Sequence, residues 1–440
     1  MKKIALILFI GTLSLTGFSQ TIDSSLIKGL SDVKSNVDML KKLKITGLIQ
    51  AQYQLADTIG AKSYAGGDFP ANSDNRFAVR RGRIKVNYTN GLAQYVIQMH
   101  LTESDFNVRE VYMILTDPWT KSVNLTSGVF MRPFGYDLEV SENTREAMER
   151  SRMVQILFPG ERDLGSMLQF APTKGPLKFL NAKAGIFAGN GVAKETDKYK
   201  DLIGRLGFNL KAGQAFTVSG GFSGYYGKQL KDATYNKEVS TVAFDTSGNA
   251  YTTTILRKTG ASFYTFDETA KKFTKTDSAK AVGVERQYLG LDLQLNYKIS
   301  GLGNLSLRGE YIGGLQPGIS TSSRVYTAGS GDLYLRNFSG YYIWLVQDIG
   351  KKAQLFGKYD LYDPNTKVEG EDIGKTGTLT SAGDMKYTTL GFGASWSLNS
   401  NAKLMCYYDI VKNEEAPNLK GDYNRDLPDN VFTVRLLYKF

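Results

Sequence analysis

Cysteine and histidine are all but absent from this 440-residue chain, with Cys406 and His100 standing alone. A single thiol builds no intrachain disulfide framework. One thiol and one imidazole also offer little to a nitrogen–sulfur metal site, so no metal or cofactor is expected. Proline is scarce, at 10 residues against 46 glycines. After the first fifteen residues no apolar run is long enough to cross a bilayer as a helix. A serine-centred elbow and a phosphate-cradling glycine loop are missing as well. Catalysis through His100 would need a serine and an acid brought to it in space. Enzymatic activity is not expected, and His100 reads as a hydrogen-bonding group in a polar interior.

What the chain does have is aromatic and basic: 26 tyrosines, 23 phenylalanines, and 54 basic against 43 acidic side chains, a formal charge of +11. Residues 1–20 read as a secretory signal, with Lys2 and Lys3 at the start and an apolar centre from Ile4 to Leu15. Cleavage after Ser19 and after Gln20 fit equally. An uncleaved anchor is the alternative, weakened by the shortness of the run. For an exported chain the basic balance gives no reason to expect nucleic acid as a partner. In residues 21–43, Leu26, Leu30, Val33, Val37 and Leu40 recur at spacings of four and three. This predicts a short periplasmic helix that either joins copies of itself or packs on another part of the protein.

From residue 44 the period changes to two. In the last ten residues Phe432, Val434, Leu436, Tyr438 and Phe440 share one face, opposed by Thr433, Arg435 and Lys439, with Leu437 an apolar intruder. Leu289, Leu291, Leu293, Leu295 and Tyr297 oppose Gly290, Asp292, Gln294 and Asn296. The same alternation marks 45–53, 82–88, 93–101 and 305–311. Further candidates are 108–116, 122–130, 164–171, 179–187, 201–210, 214–224, 338–347, 352–361, 385–396 and 402–411. Strands of this length cross a tilted hydrocarbon layer, and closure removes the unpaired edges that lipid does not tolerate. The expected fold class is all-β: a transmembrane antiparallel β-barrel of 16 strands over 44–440, preceded by a short N-terminal helix. Polar stretches at 55–75, 228–284, 363–384 and 412–430 suit external loops. The second of these is long enough for an extracellular hairpin or a small inserted domain.

Alternation in FAVRRGRIKVNY (77–88) directs Arg81, Arg83 and Lys85 to the side opposite Ile84 and Val86, which is the lumen if those two face lipid. Three cations along one wall would attract anions, and the other reading is a surface row balancing acids or anionic lipid. Arg80 falls on the opposite parity, either near an interface or as an interruption of the pattern at the start of the strand. Pro/Gly boundaries and mixed charge make 132–162 a candidate constriction loop. It carries Arg132, Arg145, Arg150, Arg152 and Arg162, with Glu139, Glu142, Glu146, Glu149 and Glu161 available to neutralise them.

GVFMRPFG (128–135), MERS (148–151), FPGERDLG (158–165), RRGRIKVNY (80–88) and KYDLYD (358–363) together resemble the phosphate-selective porin O/P family across 44–440. The resemblance implies a 16-stranded outer-membrane porin, often trimeric, with a loop narrowing each pore and basic lumen residues passing anions. By the same resemblance Arg81, Arg83 and, less directly, Arg150 are site residues. Glu161 departs from the family pattern and argues against strict phosphate selectivity.

These readings converge on a multi-pass outer-membrane protein in contact with outer-membrane lipids. The expected activity is passive diffusion of small hydrophilic solutes with a modest preference for small hydrophilic anions, phosphate included, and a homotrimer is the expected assembly. The alternative is a structural or adhesive barrel acting through its external loops.

Overall fold

Extended chain in hydrocarbon has to pair every backbone amide with a neighbouring strand, and a ring is the only sheet without edges. A computed structural model describes residues 24–232, 234–325, 331–421 and 423–440. The signal sequence expected at 1–20 lies outside the described residues. Helix α1 covers Ser24–Lys41, and along it Leu30, Val33, Val37 and Leu40 are exposed.

The strands that follow are β1 (Leu43–Ala56), β2 (Asn75–Asn90), β3 (Ala93–Leu101), β4 (Phe106–Thr116) and β5 (Val123–Met131). After a long inward segment come β6 (Arg162–Phe170), β7 (Leu180–Phe187), β8 (Asp201–Ala212) and β9 (Phe216–Lys231). Then come β10 (Thr234–Phe244), β11 (Ala250–Asp267), β12 (Lys272–Ser278), β13 (Val282–Ile299), β14 (Gly303–Gly318) and β15 (Leu333–Ile349). The chain finishes with β16 (Ala353–Asp363), β17 (Tyr387–Ser397), β18 (Ala402–Asn413) and β19 (Val431–Lys439).

Sixteen of these form a closed antiparallel ring. β9 pairs directly with β13, from Val282↔Lys231 to Tyr297↔Phe216, and β19 returns to β1 from Leu48↔Lys439 to Ala56↔Val431. Each of the sixteen segments expected from alternation is a ring strand. The three extra strands, β10 to β12, lie outside the ring within the 228–284 interval. They form a meander whose β11 runs parallel to β15 from Phe263↔Leu333 to Thr265↔Leu335.

Connections at one end are short, such as the turn after Asn90 through Gly91 (φ 61°). Those at the other end carry the long polar loops. β9, β13, β14 and β15 run 16 to 18 residues. That exceeds the roughly 9–11 a hydrocarbon crossing requires, so these strands reach past the lipid at the long-loop end. On the outer face Leu289, Leu291 and Leu293 are exposed, as are Phe432, Leu436 and Tyr438. Aromatic pairs Tyr88–Tyr95 and Phe216–Tyr297 flank the short turns, the place of an interfacial girdle.

Replacing Leu291 by Arg puts a charge in the middle of this apolar row and should cost about 2–4 kcal/mol. Urea unfolding in lipid vesicles measures it, and an unchanged stability would contradict the lipid-facing assignment.

Candidate functional site

The segment between β5 and β6 turns into the ring and packs along one flank of it. A short helix, α2 (Arg152–Leu157), forms part of it. Phe134, Leu138, Met148, Met153, Val154, Ile156, Leu157 and Phe158 from this loop are buried against wall side chains that include Tyr225, Tyr288, Phe338, Tyr342, Phe356 and Tyr407. Each fully buried side chain of this kind contributes about 1.5–3 kcal/mol. The interior therefore has a dry, aromatic flank.

Polar anchors fix the loop's path. The Asp137 amide donates to Glu310 at 2.8 Å and the Gly135 amide to Ser223 Oγ at 2.9 Å. Gly135 has φ 62°, and a Cβ there would stand 1.8 Å from Glu310 Oε1, so only glycine lets the loop approach the wall so closely. Asp137 Oδ2 accepts from the amide and hydroxyl of Ser151, tying the two halves of the loop together.

Against the opposite flank the loop presents carboxylates to arginines. Glu149 meets Arg80 Nε (2.8 Å), Arg81 Nη2 (2.6 Å) and Arg435 Nη2 (2.8 Å). Glu142 meets Arg81 Nε and Arg83 Nε, both at 3.1 Å. Glu161 faces Arg109, Arg150 and Arg162. Lys85 and Arg162 share Glu110, at 3.1 and 2.9 Å. Burial alone would raise the carboxyls of Glu142, Glu149 and Glu161. The facing guanidiniums overcome it and hold all three below the usual carboxylate range: Arg81 and Arg83 for Glu142, Arg80, Arg81 and Arg435 for Glu149, Arg150, Arg162 and Arg109 for Glu161.

Beside this lattice lies a cavity of about 540 Å³, lined by Arg80, Arg81, Arg83, Arg109, Arg150 and Arg324 with His100, Glu149, Glu161 and Asp68. Arg81 and Arg83 thus line this cavity as members of ion pairs. His100 Nδ1 contacts Arg83 and the Gly82 carbonyl. Of the five loop arginines, Arg150 lines the cavity. Arg132 is buried on Asp163 at 3.1 Å. Arg145 bonds the Val140 carbonyl at 3.0 Å. Arg152 is stacked between Tyr64 and Tyr387, its guanidinium 4.5 and 3.9 Å from their ring centres.

Sequence reading sets Arg80 on the opposite parity, near an interface or as a break in the pattern, and does not find Arg109, which sits where alternation breaks. Arg80 and Arg81, adjacent in the chain, both reach Glu149. The β3–β4 register jumps from Gln98↔Glu110 to Met99↔Val108, so Arg109 is the extra residue of a bulge and contacts Glu161 while its neighbour Glu110 also faces in. Arg324 lies between β14 and β15, in a loop that periodicity says nothing about.

No protein-family model and no curated protein sequence matches the chain. Among solved structures the fold is similar to that of OprB from Pseudomonas putida, at 10% identity over 93% of this chain and 97% of that one, with a TM-score of 0.54. It is also similar to an anion-selective porin from Comamonas acidovorans, at 13% identity over 90% and 99% of the two chains, with a TM-score of 0.51. The outer membrane channel DcaP of Acinetobacter baumannii gives 10%, 90% and 97%, and 0.50. At such identities the likeness establishes the fold alone, a closed antiparallel β-barrel.

Because the three loop carboxyls titrate below their ordinary value of 4.5, the stability they lend is complete above that pH. It should persist from neutral pH down to 4.5 and disappear only as the pH falls further, through the lower folded-state values. Proteolysis of the loop across this range measures it. Loosening already complete above pH 4.5 would contradict the ion-pair lattice.

Proposed function

We propose that this barrel is an outer-membrane porin through which small hydrophilic solutes diffuse passively, with a modest preference for anions, phosphate among them. The observation that carries the reading is the arginine-lined cavity of about 540 Å³ between the inward loop and the wall. Six guanidiniums against Glu149, Glu161 and Asp68 leave the lining net basic, and a low-dielectric cleft concentrates counter-ions. The pairing of Arg81 and Arg83 with Glu142 and Glu149 is the reason the preference is modest. Lys85 and Arg162, bridged by Glu110, extend the basic wall. Arg132, Arg145 and Arg152 hold the loop in place. The solute gradient supplies the driving free energy.

Likeness of RRGRIKVNY and FPGERDLG to the phosphate-selective porin O/P family supports the same reading, since both segments contribute to the cavity. So does the shared fold with an anion-selective porin. The exposed row Leu30, Val33, Val37 and Leu40 supports a periplasmic α1 that joins copies of the chain, with a homotrimer as the assembly. A structural or adhesive barrel is the second reading, favoured by the β11–β15 contact outside the ring, where Tyr264 stacks on Tyr334 at 4.4 Å.

Reversal potentials of the purified protein in planar bilayers under a KCl gradient decide between them. An anion preference is expected, and cation preference would defeat the charge assignment. A silent barrel that binds a partner through its outer loops would favour the second reading. Replacing Arg81 and Arg83 together by Gln leaves Glu142 and Glu149 short of cations, so the reversal potential should move toward cation selectivity.

A further inference from the structure

Glu161 stands where the backbone suits a side chain poorly. Gly160 and Glu161 both have left-handed backbone, with φ 75° and 64°. Glycine adopts that region freely, whereas a side chain is crowded there. The conformation swings the Glu161 carboxylate into a fork of three guanidiniums. Arg150 Nε donates to Oε1 at 2.7 Å, Arg109 Nη2 donates to Oε2 at 2.9 Å, and Arg162 Nη1 closes on Oε2. Two further donors in the fork, Arg109 Nε and Arg150 Nη1, are buried without a hydrogen-bond acceptor. Arg150 Nη1 lies 3.8 Å from Asp137 Oδ1. Arg150 is 3% exposed, yet lines the cavity together with Arg109 and Glu161. Three guanidiniums with donors to spare around two carboxylate oxygens form the set that a free oxyanion would be bound by.

We propose that Glu161 is a tethered counter-ion: its carboxylate fills an oxyanion site that would otherwise take a carboxylate or phosphate from solution. This deepens the channel reading above and rests on it. A ligand attached to the chain has a high effective concentration, so dilute solute anions do not displace it. The occupied fork therefore cannot trap what passes, and transit needs shallow sites. Glu161 is in this sense a specificity-determining residue, one that weakens anion binding.

The test compares the full-length protein with Glu161→Gln and Glu161→Gly. The Gln variant keeps the shape and removes the charge. The Gly variant removes the side chain and is at ease at φ 64°, which offsets part of the cost of leaving the arginines unpaired, and single-channel conductance of each variant shows that it is folded. Both are expected to raise the anion-to-cation permeability ratio about tenfold, the scale of electrostatic focusing in a cleft. Both should also make the chloride current sensitive to inorganic phosphate at concentrations that leave the parent unaffected. Glu268→Gln, in the outer excursion, should behave as the parent. Variants that conduct with the parental ratio and no phosphate block would overturn the inference while leaving the porin reading intact. A parent that does not conduct would remove both.

Discussion

Every feature of this chain depends on the hydrogen-bonded closure of its wall. An amide left unpaired in hydrocarbon costs several kcal/mol, so the strands have no stable open arrangement across a bilayer. The return of β19 to β1 meets that constraint and sets the rest. It divides side chains into an outer set that lipid must accept and an inner set shielded from it. It also confines the segment between β5 and β6, once turned inward, to a small enclosed space. β10 to β12 escape the constraint because they leave the ring above β9 and return at β13, where water can satisfy exposed backbone.

The inner set is not uniform. Toward β9 and β13–β18 the wall offers Tyr225, Tyr288, Tyr342, Phe356 and Tyr407, and the loop answers with apolar side chains. Toward β2–β4 the wall offers arginines, and the loop answers with glutamates. One inserted segment thus has a dry face and a charged face, each matched to the flank it meets. Buried ion pairs are weak sources of net stability but expensive to break singly, so the charged face specifies the position of the loop more than it strengthens the fold.

How much of this was legible in the sequence follows from the same division. Rows such as Leu289, Leu291, Leu293 and Leu295 could be read directly, because lipid demands an apolar residue at every second position. All sixteen ring strands were found on that signal. The outer excursion gave no such signal, since strands outside hydrocarbon need not alternate. Parity set Arg81, Arg83 and Lys85 on one face of the strand, and Arg81 and Arg83 line the cavity. Arg109 was not read, because the bulge at 109–110 puts consecutive residues on one face, and Arg80 falls on the opposite parity although it reaches Glu149 together with Arg81. The pairing of Arg83 with Glu142, far along the chain, could be anticipated only as a shortage of free charge, since nothing local in either residue names its partner.

Arg435 ties these themes together. It belongs to the final strand, which seals the ring, yet its guanidinium donates to the Met148 carbonyl at 2.6 Å and to Glu149 within the inserted loop. Gln52 on the first strand completes its coordination at 3.0 Å through Nε. The last seam of the cylinder is thus stitched through its own filling. With the inserted segment removed, Arg435 would be left in the seam without the Met148 carbonyl and Glu149, so the closed wall and its filling stabilise one another.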